Sequence, residues 1–94
     1  MNSKRKGIRT ERLAKRILER AGYLVIRSSA SLGPFDLIAI SPTGDTRMIQ
    51  VKRNKLLTES EKEMMRELAS RYKKASIEFW YFAERESEPT ITVF

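Results

Sequence analysis

The chain predicts an α/β fold: a mixed β-sheet flanked by helices. Two stretches repeat their apolar residues at helical spacing, and five short apolar runs are bounded by turn residues. These stretches follow one another in the order α-β-β-β-α-β-β. A length of 94 residues suits one core, so residues 1–94 are expected to form a single domain. At 40% hydrophobic residues the composition is that of a folding chain rather than a disordered one.

Residues 1–7 read as a polar, basic lead-in. Over residues 8–21, Leu13, Ala14, Ile17, Leu18 and Ala21 recur at helical spacing, and Arg9, Arg12, Lys15, Arg16, Glu19 and Arg20 occupy the other face. Gly22 supplies the stop. Residues 23–27 read as the first strand, residues 28–34 as a small-residue loop, and residues 35–40 as the second strand. Ser41-Pro42-Thr43-Gly44-Asp45 has turn chemistry, so residues 46–52 return as the third strand of an antiparallel hairpin, paired near Ile40 and Thr46.

Thr58 with Glu61 forms a capping box that opens the second helix, whose apolar stripe is Met64, Met65, Leu68, Ala69 and Tyr72. Residues 77–83 and 89–94 are the last two strands. The run Ile77-Glu78-Phe79-Trp80-Tyr81-Phe82 suits a strand buried on both faces, or one at a subunit interface. A domain this small has trouble covering such a strand alone, which leans the reading toward a homodimer.

Lys and Arg number 19 against 12 Asp and Glu, a net charge of +7. That balance points to a polyanionic partner, nucleic acid before an acidic membrane surface. The chain has no Cys and no His, which excludes disulfides, Cys/His zinc sites and Ser-His or Cys-His nucleophilic chemistry. Any metal would be a hard cation with oxygen ligands, Mg²⁺ or Mn²⁺. No apolar run approaches the roughly 20 residues that span a bilayer. The basic N-terminus is not followed by an apolar signal core, so an intracellular protein is expected.

The second and third strands carry polar residues among apolar ones. Asp36 shares a strand face with Ile38 and Ile40, and Gln50 and Lys52 share one with Met48. Hairpin pairing brings Asp36 close to Gln50 and Lys52. A carboxylate, an amide oxygen and the Val51 carbonyl can hold a divalent metal, with Lys52 beside it to stabilise charge on a phosphate. An ordinary surface hairpin with solvated ends has about equal weight from spacing alone. Glu11 lies at the border of the first helix's apolar stripe, where it can reach the metal or its waters. Helix geometry by itself favours an i,i+4 pair with Lys15.

At these residues the sequence resembles the PD-(D/E)XK nucleases and, more narrowly, the archaeal-type Holliday junction resolvases. The resemblance is carried by residues 6–12, 18–23 and 25–28, then Phe35-Asp36-Leu37-Ile38-Ala39 and Ile49-Gln50-Val51-Lys52. It implies a restriction-endonuclease-like sheet and puts Glu11, Asp36, Gln50 and Lys52 on active-site positions. Ser31, or a neighbouring Ser of the loop, falls near the family's catalytic hydroxyl. It also implies Mg²⁺-dependent nicking of four-way DNA junctions by a homodimer, in DNA recombination and repair. The family usually has Glu where this chain has Gln50; other branches, including virus-type replication-repair nucleases, use Gln there. Arg5, Lys6, Arg9, Arg27, Arg53, Asn54 and Lys55 flank the site and are expected to track phosphates as a cluster. Two other readings stand beside the nuclease: a non-cleaving nucleic-acid-binding module on the same fold, and a protein-interaction domain docking through its aromatic strand.

Overall fold

A computed structural model describes the backbone of residues 3–28 and 33–94, with side chains from Gly7 onward. Its elements are α1 (Ser3–Arg20), β1 (Leu24–Arg27), β2 (Leu37–Ile40), β3 (Thr46–Arg53), α2 (Glu59–Arg71), β4 (Ala75–Phe82) and β5 (Thr90–Val93). The order is the expected one. The five strands form one sheet in sequence order, antiparallel throughout except that β3 and β4 run parallel. Parallel neighbours need a crossover, and α2 supplies it.

Helix α1 begins at Ser3, not at residue 8. Lys4, Arg5 and Lys6 are good helix formers, so the helix extends beyond its apolar stripe despite Gly7. It stops as expected at Gly22, whose φ of 95° is costly for any residue with a Cβ. The Gly22 N–H donates to the Glu19 carbonyl at 3.0 Å and the Tyr23 N–H to that of Leu18 at 3.1 Å, a Schellman closure. Helix α2 opens on the expected capping box, with both the Thr58 and Glu61 side chains engaged.

The two helices cover opposite faces of the sheet. Ala14 and Leu18 of α1 pack with Val25, Leu37, Ala39, Ile49, Trp80 and Phe82. Met65 of α2 packs with Phe35, Leu57, Ile77 and Phe79. Strand alternation puts Ile49 and Val51 on the α1 side with Leu37; Phe35 precedes β2, and the irregular pairing at Asp36 turns it to the other layer. The hairpin register pairs Ile40 with Thr46, as expected. From the α2 stripe, Met64 and Tyr72 are exposed.

The aromatic run proves to be β4, flanked by β3 and β5 and buried within the chain itself. The small domain covers this strand because both helices and two neighbouring strands converge on it. Phe79, Trp80 and Phe82 are buried and Tyr81 is half-buried, so the strand offers little aromatic surface and the packing argument for a dimer falls away. The exposed apolar side chains include Leu24 and Ile26 on the outer face of edge strand β1.

Candidate active site

The site gathers where β2 begins and β3 ends. Strand β2 starts at Leu37, two residues later than expected, because Asp36 replaces a backbone group in the ladder. Its carboxylate Oδ2 accepts the Val51 N–H at 2.7 Å. Its backbone is held on both sides: the Asp36 N–H donates to the Ile49 carbonyl and the Ser28 N–H to the Asp36 carbonyl, each at 2.9 Å. Burial raises the Asp36 carboxyl from 3.8 to about 6. The Val51 hydrogen bond opposes that rise, the nearby Glu11 charge adds to it, and the Lys52 charge lowers it. Glu11 and Lys52 thus both lie within electrostatic reach of Asp36.

The regular pairing ends at Leu37–Ile49, where the Asp36 N–H also turns to the Ile49 carbonyl, and Gln50 is the next residue of β3. Gln50 Oε1 is buried and has no hydrogen-bond partner among the described residues. Leaving such an oxygen unsatisfied costs about 1–3 kcal/mol. In a strand the N–H and C=O of one residue point the same way, so the Val51 carbonyl faces β2 along with the N–H that Asp36 holds. Asp36, Gln50 and Val51 therefore offer hard oxygen donors, the chemistry that suits Mg²⁺ or Mn²⁺. Among the described residues no group of three Asp, Glu, His or Cys could hold a metal, so Gln50 and the backbone must supplement the carboxylates.

Lys52, on the α2 side of β3, places its Nζ 2.8 and 3.0 Å from the Glu61 carboxylate oxygens. Sequence reasoning gave Glu61 only its capping role. The signal was present, since a short connection after Lys52 returns the N-terminus of α2 over the strand end. Glu11 finds its charge partner in Arg27 of β1, at 3.3 Å. Hence α1 delivers a carboxylate to the sheet edge.

The flanking cations divide. Arg9 and Lys55 are exposed, as is Asn54. Arg27 is engaged with Glu11. The Arg53 guanidinium is committed to structure: Nε donates to Thr10 Oγ1 at 3.1 Å, Nη1 to the Ala83 and Glu86 carbonyls at 2.8 Å, and the plane lies over Phe82. Arg5 and Lys6 lie on the first turns of α1, but their side chains, like the whole of Ser31, fall outside the described residues.

A profile of the archaeal Holliday junction resolvase (Hjc) family matches residues 2–80, most of the chain. The chain belongs to the archaeal Holliday junction resolvase family. Its matched region contains the whole α1-to-β3 framework and all the resolvase positions discussed above. The fold is similar to that of a Holliday junction resolvase, Hjc of Archaeoglobus fulgidus, with a TM-score of 0.66 and 26% sequence identity. The similarity covers 95% of this chain and 71% of that one. No curated protein gave a match. The resolvase family accounts for the mixed sheet with its two helices and makes a nuclease the functional class.

Proposed function

We propose that this chain is a Mg²⁺-dependent, structure-selective endonuclease that hydrolyses phosphodiester bonds in branched DNA, four-way junctions first. The reading takes the 94 residues as one nuclease domain acting as a homodimer, which would present two sites to a two-fold junction. The observation that carries it is an orphaned Gln50 oxygen on β3 together with a desolvated Asp36 carboxylate bonded to the next residue of that strand, Val51, in a resolvase-family chain. A bound cation would relieve both, by pairing the amide oxygen and by neutralising the buried carboxylate.

Asp36, Gln50 Oε1 and the Val51 carbonyl would hold the metal, with Glu11 able to hold its waters. When bound, the metal supplies an activated water and neutralises charge on the phosphate. Asp36 holds the Val51 peptide in place through its own hydrogen bond. Lys52 stabilises the negative charge that develops on the scissile phosphate. Glu11, paired with Arg27, keeps a second anion at the sheet edge. The exposed cations of α1 grip the backbone without reading bases.

The test compares four-way junction, flap and linear duplex DNA, with and without Mg²⁺. Metal-dependent cleavage, strongest on the junction and abolished in Asp36→Ala, is expected. Absence of metal-dependent cleavage on every substrate, or cleavage that survives Asp36→Ala, would overturn the reading. The second reading, a junction-binding module that does not cut, is favoured by the neutral Gln50. Cleavage that appears only in Gln50→Glu would select it.

A further inference from the structure

We infer that Glu61 is a positioning residue for Lys52, supplying from α2 the carboxylate that β3 lacks at Gln50. The inference rests on the nuclease reading of the same site. Lys52 has a flexible four-carbon stem, and left free its ammonium would sample many positions. Here Nζ is held by both Glu61 oxygens, at 2.8 and 3.0 Å. Glu61 is itself pinned, because its Oε1 also accepts the Thr58 N–H at 2.8 Å. The capping box thus does two things at once. It closes the first turn of α2, and it fixes a carboxylate whose free face meets the lysine. Met65, one turn further along α2, is fully buried and anchors the helix to the sheet. Leu57, buried just before the cap, anchors the connection from β3.

The charge pattern gives this pairing a purpose. Where the family has its usual Glu at position 50, a carboxylate two residues before the lysine shares its face. In this chain that position is the neutral Gln50. Glu61 restores an anion next to Lys52 from a different element, and leaves Gln50 Oε1 unpaired. A lysine held in this way presents its charge to the site without reorganising during the reaction.

Two variants separate positioning from capping. Gln at the third helical position keeps a capping box, so Glu61→Gln retains the cap but removes the charge at Lys52. Thr58→Ala removes the reciprocal cap bond and retains the carboxylate. Single-turnover cleavage of a four-way junction with Mg²⁺ is measured alongside junction affinity without metal and the melting temperature. Glu61→Gln is expected to slow cleavage by about 10- to 100-fold with junction affinity unchanged. Thr58→Ala is expected to lower the melting temperature and keep the rate, measured where it is folded. A readout independent of metal and DNA is the Lys52 ammonium proton signal in NMR. It is expected in the wild type and in Thr58→Ala, and absent in Glu61→Gln. Should Glu61→Gln fail to fold, Glu61→Asp, which shortens the carboxylate by one methylene, is expected to show the slower rate.

Cleavage by Glu61→Gln at or above the wild-type rate overturns the inference, as does an equal slowing in Thr58→Ala. If the wild-type protein cleaves nothing, the nuclease reading fails first, and the ammonium signal alone decides whether Glu61 holds Lys52.

Discussion

Asp36 is the residue at which fold and chemistry conflict. Its carboxyl is raised to about 6 mainly by burial, so ionising it in the folded protein costs free energy. The sign follows from linkage. Below 3.8, the unfolded value, both states are protonated and there is no penalty. Between that value and about 6 the folded state binds the extra proton, so stability falls as pH rises and the penalty is complete above 6. Asp36→Asn removes the ionisation and can still accept the Val51 N–H. In urea denaturation of the metal-free protein, the variant is expected to exceed the wild type above pH 6 by at most about 2–3 kcal/mol. The two should converge below 3.8. Saturating Mg²⁺ should stabilise the wild type and not the variant, since a ligand that binds only the folded state adds to its stability. An advantage of the variant that does not change with pH would refute this account.

Among the elements, the turns and caps were the most legible. Gly22, the capping box and the hairpin register depend on residues close in sequence, so local chemistry determines them. The link between β3 and β4 was not legible. Arg47 and Glu78 are 31 positions apart and meet only because the α2 crossover makes their strands neighbours. Glu78 is fully buried. One oxygen accepts Arg47 Nη2 at 2.7 Å and Trp80 Nε1 at 2.9 Å; the other accepts Arg47 Nε at 2.8 Å and Ser76 Oγ at 2.6 Å. Burial works to raise its carboxyl, but these hydrogen bonds outweigh burial and hold it below the ordinary range. The Arg47 guanidinium lies between the Tyr23 and Trp80 rings, at 5.2 and 5.4 Å from their centroids. This satisfied cluster sits inside the strand that the sequence suggested as an interface. Glu78→Ala leaves a guanidinium, an indole N–H and a hydroxyl without their acceptor. Chemical denaturation should show a destabilisation of about 3–5 kcal/mol. A change below about 1 kcal/mol, the range of exposed pairs, would mean the cluster does not hold β3 to β4.

At the scale of the whole molecule, the +7 charge is unevenly distributed. Eight of the 19 Lys and Arg residues lie on α1, the helix that also carries Glu11 to the site. DNA bound along α1 would release counterions, so affinity should fall steeply with salt. Arg9→Ala is expected to lower the slope of log affinity against log salt by about 0.9, the share of one phosphate that the arginine no longer neutralises. The effect should be the same for junctions of different sequence, since backbone contacts carry no base information. An unchanged slope would exclude Arg9 from the DNA surface. Arg53 is expected to contribute little to that slope, because its guanidinium already closes α1, β3 and the segment after β4 together.

The sequence by itself determined the order of elements, the hairpin, both helix signals and the family, and it singled out Asp36, Gln50, Val51 and Lys52 as the candidate set. Each depends on spacing within a few residues, or on a pattern of residue types that survives without coordinates. Only the tertiary structure decided what each polar group touches. It burdened Asp36 through burial, left Gln50 Oε1 without a partner, joined Glu11 to Arg27 and Lys52 to Glu61, and placed the aromatic strand in the interior. Those contacts join residues far apart in the chain. They arise from strand order, from the crossover and from the faces to which alternation assigns each side chain, and no local pattern encodes them.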